Sequence, residues 1–199
     1  MAGALGVLGG AFNPPHLGHL LLAQEARWQL ELERVLLVTT GRAPHKRIDQ
    51  DPGAEVRLEM AERAAAGEEA VEASPLEVER DGPSFSYLTL EELSEREQGR
   101  ELYFLLGADV AAGLESWERP ERVVELAKLA IVPRQRVEMG DVDATLERLD
   151  AAGRAAIIEM PLCGVSSTMI RERAAAGRPL RHLVPDEVAG LIAERGLYR

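Results

Sequence analysis

The run Leu5-Gly6-Val7-Leu8-Gly9-Gly10-Ala11-Phe12-Asn13-Pro14-Pro15-His16-Leu17-Gly18-His19 decides the fold. Leu5 to Leu8 is short and apolar and runs straight into a glycine and proline cluster, the pattern of a buried strand entering a loop. Beyond the loop, Leu17, Leu20, Leu21, Ala23 and Trp28 recur at a spacing that suits a helix as far as Leu30. Paired glycines after a strand let backbone N–H groups approach an anion closely. His16 and His19, three apart at a helix start, fall on nearly the same face, so two imidazoles point at one ligand.

Outward from this unit the pattern repeats. Arg34 to Thr40 (R-V-L-L-V-T-T) reads as a second buried strand, Leu102 to Leu106 as a third, and Lys128 to Val132 and Ala155 to Glu159 as two more; Ala70 to Ala73 is a weaker candidate. Helices are predicted over Ala54 to Ala66, Tyr87 to Glu97, Val142 to Ala151, Ser167 to Ala176 and Pro185 to Glu194. The strands lie too far apart for hairpins. Right-handed crossovers then imply an α/β fold: a single Rossmann-like, doubly wound, mainly parallel sheet with helices on both faces and ligands at the carboxyl ends of its strands. No repeat or Pro-rich linker interrupts the chain, so residues 1–199 read as one domain with a C-terminal helical portion from about residue 166.

Composition narrows the function classes. At 199 residues, with 46% hydrophobic and 29% charged residues, the chain has ordinary globular usage and length enough for one core. The 34 acidic against 23 basic residues leave a net charge of -11, which argues against nonspecific binding of nucleic acid or anionic lipid. An anionic ligand must meet a local basic pocket. Cys163 is the only cysteine, so no internal disulfide forms, and a reducing cytoplasm is the expected location. No apolar run of membrane-spanning length and no basic leader occurs, so neither membrane insertion nor export is expected. Only Lys46 and Lys128 among the basic residues are lysine.

Two further loops carry chemistry. Ser166-Ser167-Thr168 stands directly before a helix, where hydroxyls cap, exposed amides face an anion, and Arg171 adds charge one turn inside. Gly107-Ala108-Asp109 ends the Leu102 strand, with Trp117 eight residues on; taken by themselves these residues read as a strand end and a half-buried Trp. The first loop, G-G-A-F-N-P-P-H-L-G-H, resembles the signature of the H-x-G-H nucleotidyltransferases, and V-S-S-T-M-I-R resembles their I-S-S-T-x-I-R segment. Ala43-Pro44-His45-Lys46, Gly82-Pro83-Ser84-Phe85-Ser86 with Thr89-Leu90, Gly107-Ala108-Asp109 with Trp117, and Gly196-Leu197-Tyr198 are similar to segments of one branch, the bacterial nicotinate-mononucleotide adenylyltransferases. The resemblance spans essentially the whole chain. Ala11, Phe85, Thr39-Thr40 and Pro133-Arg134-Gln135 depart from that branch's usual residues.

The resemblance implies adenylyl transfer from ATP to nicotinate mononucleotide, giving nicotinate adenine dinucleotide and pyrophosphate. It makes His16 and His19 the catalytic pair. It assigns ATP to Gly9, Gly10, Ala11, Phe12, His16, His19, Gly107, Asp109, Arg134, Ser166, Ser167, Thr168 and Arg171. The nicotinate nucleotide falls to Thr40, Lys46, Phe85, Ser86, Thr89, Asp109 and Trp117. Mg²⁺ is expected to arrive with ATP, held by phosphate oxygens and water, and no protein metal site is expected. ATP and the mononucleotide are the expected partners, without nucleic acid or membrane; a homo-oligomer is compatible with the reading. The alternatives are a related adenylyl- or cytidylyltransferase on another phosphate, such as phosphopantetheine, and a noncatalytic nucleotide-binding protein of the same fold. A metal-dependent hydrolase needs more ligands than His16, His19 and Asp109 offer.

Overall fold

The structure, a computed structural model, describes residues 3–44, 47–133 and 137–199. Among these described residues six strands form one sheet: β1 (Leu5–Gly10), β2 (Arg34–Thr39), β3 (Val71–Ser74), β4 (Leu102–Gly107), β5 (Lys128–Val132) and β6 (Ala155–Ile157). Every neighbouring pair is parallel, and the order is β3-β2-β1-β4-β5-β6. The expected mainly parallel sheet is thus entirely parallel.

Side chains that alternate along the four central strands, β2, β1, β4 and β5, enter two separate apolar clusters. Leu8, Val35, Leu37, Leu105, Ala130 and Val132 pack on one side with α1 (Leu17–Gln29), α2 (Ala54–Ala65), α8 (Ser167–Ala175) and α9 (Asp186–Glu194). Val7, Leu36, Val38, Phe104, Leu106, Leu129 and Ile131 pack on the other with α3 (Leu76–Glu79), α4 (Ser86–Arg96), α5 (Ala108–Ala111), α6 (Pro120–Leu126) and α7 (Met139–Arg148). A strand apolar on both faces needs helices on both, which is why these sequences read as continuous hydrophobic runs rather than as alternating ones.

Helices α3, α5 and α6 are too short for a periodic signal and were not expected. Three elements differ in their bounds from the expectation. Ala70 adopts a left-handed φ of 59°, so β3 starts at Val71. Helix α7 begins three residues before Val142, at Met139, and ends at Arg148 ahead of Asp150, whose φ is 52°. β6 stops at Ile157 because Glu159, expected in the strand, gives its backbone groups to the Gln29 amide instead, at 3.0 and 2.6 Å. Trp28, counted with the apolar positions of the first helix, is 81% exposed; Leu20, Leu22, Ala23 and Ala26 form the buried stripe.

Strand order reverses direction at the β1–β4 pair, since connections lead outward to β2 and β3 on one side and to β5 and β6 on the other. The β1–β4 ladder runs from Leu5↔Leu102 to Val7↔Phe104, although both strands continue three residues farther. A crevice opens there at the carboxyl ends, the place where doubly wound sheets hold ligands.

Candidate active site

Both glycine-marked loops empty into this crevice. Gly9 and Gly10 finish β1, and His16 serves as N-cap of α1. The His16 backbone N–H donates to Nδ1 of His19 at 3.1 Å. Since a backbone amide can only donate, Nδ1 of His19 is the acceptor and the neutral ring carries its proton on Nε2. The two rings lie 3.8 Å apart between centroids, tilted by 30°, and the buried Phe12 ring meets His19 edge-on at 5.1 Å. Gly18 lies between them because a Cβ there would approach Nδ1 of His16 to 3.0 Å and Sγ of Cys163 to 3.3 Å. The two imidazoles expected on one face are therefore adjacent and packed from behind.

They line a cavity of about 280 Å³ whose walls include Gly107, Leu22, Val132, Met160, Leu162 and Cys163. Residues 160–164 of this wall carried no recognisable site signal in the sequence, because they form an irregular link between β6 and α8. Asp109 lies exposed in the first turn of α5, at the end of β4.

Helix α8 is tied onto the first loop. Ser166 caps it by accepting from the Met169 N–H at 3.2 Å; Ser167 Oγ donates to the Pro14 carbonyl at 2.8 Å. Arg171 donates to the Asn13 carbonyl at 2.9 Å and to Thr168 Oγ1 at 3.3 Å. Asn13 itself is 3% exposed and was not singled out from sequence. Its amide donates to the Asp49 carbonyl at 2.7 Å and accepts from the Tyr198 hydroxyl at 2.7 Å. Burial pushes the Tyr198 phenol well above its ordinary pKa, which keeps it a protonated donor. The Gly196-Leu197-Tyr198 ending thus reaches back to brace the first loop.

A second region is built from the loops after β2 and before α4. Ser84 Oγ accepts from the Gly41 and Arg42 backbone N–H groups at 3.0 and 3.2 Å, and the Ser84 N–H donates to the Arg42 carbonyl at 2.8 Å. Thr40 lies beside this joint, its N–H bound to the Gly10 carbonyl at 2.9 Å, so the second region abuts the first. Phe85 is the N-cap of α4 and stacks on Tyr87 with centroids 6.0 Å apart; Ser86 opens the helix, and the Leu88 N–H donates to the Phe85 carbonyl at 3.1 Å. Trp117 is half-buried, edge-on to Phe104 at 6.1 Å.

Thr89, grouped with these residues on sequence, lies beneath the loop: it is 3% exposed and its hydroxyl donates to Glu77 Oε1 at 2.6 Å. Glu77 is a buried carboxylate whose pKa burial pushes up, with the hydrogen bonds from Thr89 and Ser84 opposing that shift. Lys46 and Arg134 lie outside the described residues.

A cytidylyltransferase-like family model matches residues 7–173. The chain is 41% identical to a "Probable nicotinate-nucleotide adenylyltransferase" of Roseiflexus sp. (strain RS-1), covering 98% of each chain. It is 36% identical to the protein so named from Geobacillus thermodenitrificans (strain NG80-2), covering 98% of this chain and 86% of that one. In structure it is similar to the Plasmodium falciparum nicotinic acid mononucleotide adenylyltransferase complexed with NaAD, with a TM-score of 0.78, 16% identity, and coverage of 98% and 97%. At that identity the likeness is one of fold.

Proposed function

Because the chain belongs to the nicotinate-nucleotide adenylyltransferase family, we propose that its crevice joins ATP to nicotinate mononucleotide, releasing pyrophosphate and forming nicotinate adenine dinucleotide for NAD biosynthesis. The observation that carries this reading is the adjacency of His16 and His19 at the end of β1, on a loop to which the N-terminus of α8 is bound. The attacking group is a phosphate oxygen of the mononucleotide. It is already anionic at neutral pH, so no protein base has to remove a proton. That oxygen bonds to the α-phosphorus of ATP as the bond from the α-phosphorus to the bridging oxygen breaks, and the electron pair leaves with pyrophosphate.

The protein's task is then alignment and charge stabilisation, with alignment worth up to about 7 to 11 kcal/mol in favourable cases. His16 and His19 donate to the α-phosphate region, the latter through Nε2–H. The amides of Gly9 to Phe12 and of Ser166 to Thr168, together with Arg171, take the remaining phosphate charge. The apolar walls at Leu22, Val132, Met160 and Leu162 suit the adenine ring, with Gly107 and Asp109 toward the ribose. Thr40, the Phe85–Ser86 corner and Trp117 take the nicotinate nucleotide, while Thr89 supports that corner from below through Glu77. Lys46 and Arg134 add phosphate contacts in the same scheme.

Mg²⁺ belongs to this scheme as a companion of ATP, on phosphate oxygens and water. Among the described residues, no group of three His, Cys, Asp or Glu side chains is placed to hold a metal ion. Among them too, no helix is long and apolar enough to cross a membrane. A cytoplasmic setting, where ATP is abundant, and a single nucleotidyltransferase domain complete the reading.

The test is pyrophosphate release from purified protein with ATP and nicotinate mononucleotide. A pocket of backbone donors favours the pyridine carboxylate, because the amide of nicotinamide mononucleotide brings donor hydrogens of its own. Charge-assisted hydrogen bonds contribute about 1.5 to 3 kcal/mol, so kcat/KM for the acid is expected to exceed that for the amide by at least about tenfold. Equal efficiencies would remove the donor-lined pocket. Arg171→Ala is expected to raise the Kd for ATP by roughly tenfold or more, the loss of one charged hydrogen bond made in the ground state. Titration calorimetry reads this directly, and an unaltered Kd would confine Arg171 to holding the Asn13 carbonyl.

A further inference from the structure

Helix α2 carries Arg57 on its buried face, in step with Met60, Ala61 and Ala64, and its side chain is fully enclosed. An arginine on an apolar helix stripe is costly unless every donor finds a partner. Here the partners are three backbone carbonyls and one carboxylate. Nη1 donates to the Ala11 carbonyl at 3.0 Å and to the Thr40 carbonyl at 2.5 Å; Nη2 donates to the Gly41 carbonyl at 3.1 Å. Nε donates to Asp51 Oδ1 at 2.9 Å, and the same oxygen accepts from the Gly53 N–H at 3.0 Å at the start of α2.

Ala11 belongs to the loop that presents His16 and His19. Thr40 and Gly41 belong to the loop joined to the Ser84–Phe85 corner. One planar group therefore spans the two loops that, on the function proposed above, hold the two substrates whose oxygen and phosphorus must meet in line. We propose that Arg57 is a positioning residue for adenylyl transfer: its guanidinium sets the spacing of the two substrate loops without touching either substrate. This inference rests on the proposed function and adds to it a residue remote from the chemistry. A lysine keeps the charge but not the rigid fork, so it cannot reach all three carbonyls and Asp51 at once.

The decisive variant is Arg57→Lys, studied as the full chain beside the native protein. Circular dichroism and thermal unfolding establish that it folds; calorimetry gives the Kd for ATP, and pyrophosphate release at saturating substrates gives kcat. A displacement of about 1 Å between reacting groups costs on the order of 10²-fold in rate. The expected result is a folded variant with an ATP Kd within about threefold of native and a kcat lowered on that order. A folded variant with kcat within about threefold of native, whatever its melting temperature, overturns the proposal, and so does a loss of turnover matched by an equal loss of ATP affinity.

Should Arg57→Lys fail to fold, Asp51→Asn carries the test. Its side chain is 34% exposed, and the substitution keeps an acceptor for Nε while removing the charge that orients the fork. It is expected to lower kcat by about three- to tenfold with ATP affinity unchanged, and native turnover overturns the proposal. Native protein that releases no pyrophosphate removes the proposed function and this inference with it. Native activity beside an indifferent Arg57→Lys removes only the role of Arg57.

Discussion

Replacing either His16 or His19 by Ala is expected to lower kcat by about 10²- to 10³-fold, the usual cost of deleting one donor aimed at charge that develops in the transition state. Affinity for ATP should change far less, because on the proposed function the amides of Gly9 to Phe12, the N-terminus of α8 and Arg171 would hold the ground-state phosphates independently of the imidazoles. His19→Ala carries a second consequence. It removes the acceptor for the His16 backbone N–H and the edge contact to Phe12, so it should also lower the thermal midpoint, whereas His16→Ala leaves that hydrogen bond in place. Single-turnover rates at saturating ATP and nicotinate mononucleotide, with calorimetric Kd values for ATP, separate these effects. Full turnover in both variants would take the imidazoles out of the reaction.

Gly41→Ala is expected to disable the nicotinate side of the site while sparing ATP. A Cβ at Gly41 would overlap the backbone carbonyl oxygen of Glu77, an atom with no freedom to retreat because it belongs to α3 beneath the loop. The loop must then move outward. It would break the Gly41 and Arg42 bonds to Ser84 and the Gly41 carbonyl bond to Arg57. Forcing an extra carbon into a closed contact typically costs about 1 to 3 kcal/mol of stability. The KM for nicotinate mononucleotide should rise by about tenfold or more if even one hydrogen bond to the substrate is lost with the displaced loop. Steady-state kinetics with each substrate varied in turn, alongside urea unfolding, checks both parts. An unchanged KM would show that the Thr40–Gly41 turn and the Ser84 corner are not coupled to substrate.

Much of this site could be read before folding was considered. Glycines, prolines and histidines mark the ends of strands directly, because the constraint each relieves or imposes is local: backbone approach, φ, the first turn of a helix. The same is true of Ser166 as a cap, which acts on an amide three residues away. Thr89 is the converse case. Its position in a resembling segment said nothing of which way its hydroxyl turned, and that was decided by a buried carboxylate twelve residues back, Glu77. Arg57 was legible in part, since its spacing with Met60, Ala61 and Ala64 places it on the buried stripe of a helix. Its partners were not.

By itself the sequence determined the alternation of apolar strands and helices, hence a sheet covered on both faces, and the chemical groups carried by each loop. Those are consequences of periodicity and of residues acting within a few positions of themselves. The tertiary structure alone decided the strand order, which sets the β1 loop beside the end of β4 although nearly a hundred residues separate them. It likewise decided that Ser167 would bind the Pro14 carbonyl across 153 residues, and that Tyr198 would bind Asn13 across 185. Beside Asp51 and Thr168, the acceptors that gather Arg57 and Arg171 are backbone carbonyls of Asn13, Ala11, Thr40 and Gly41, a group every residue possesses. Nothing in their side chains marks them, so only the packing that removes water from each donor selects which carbonyl it must find.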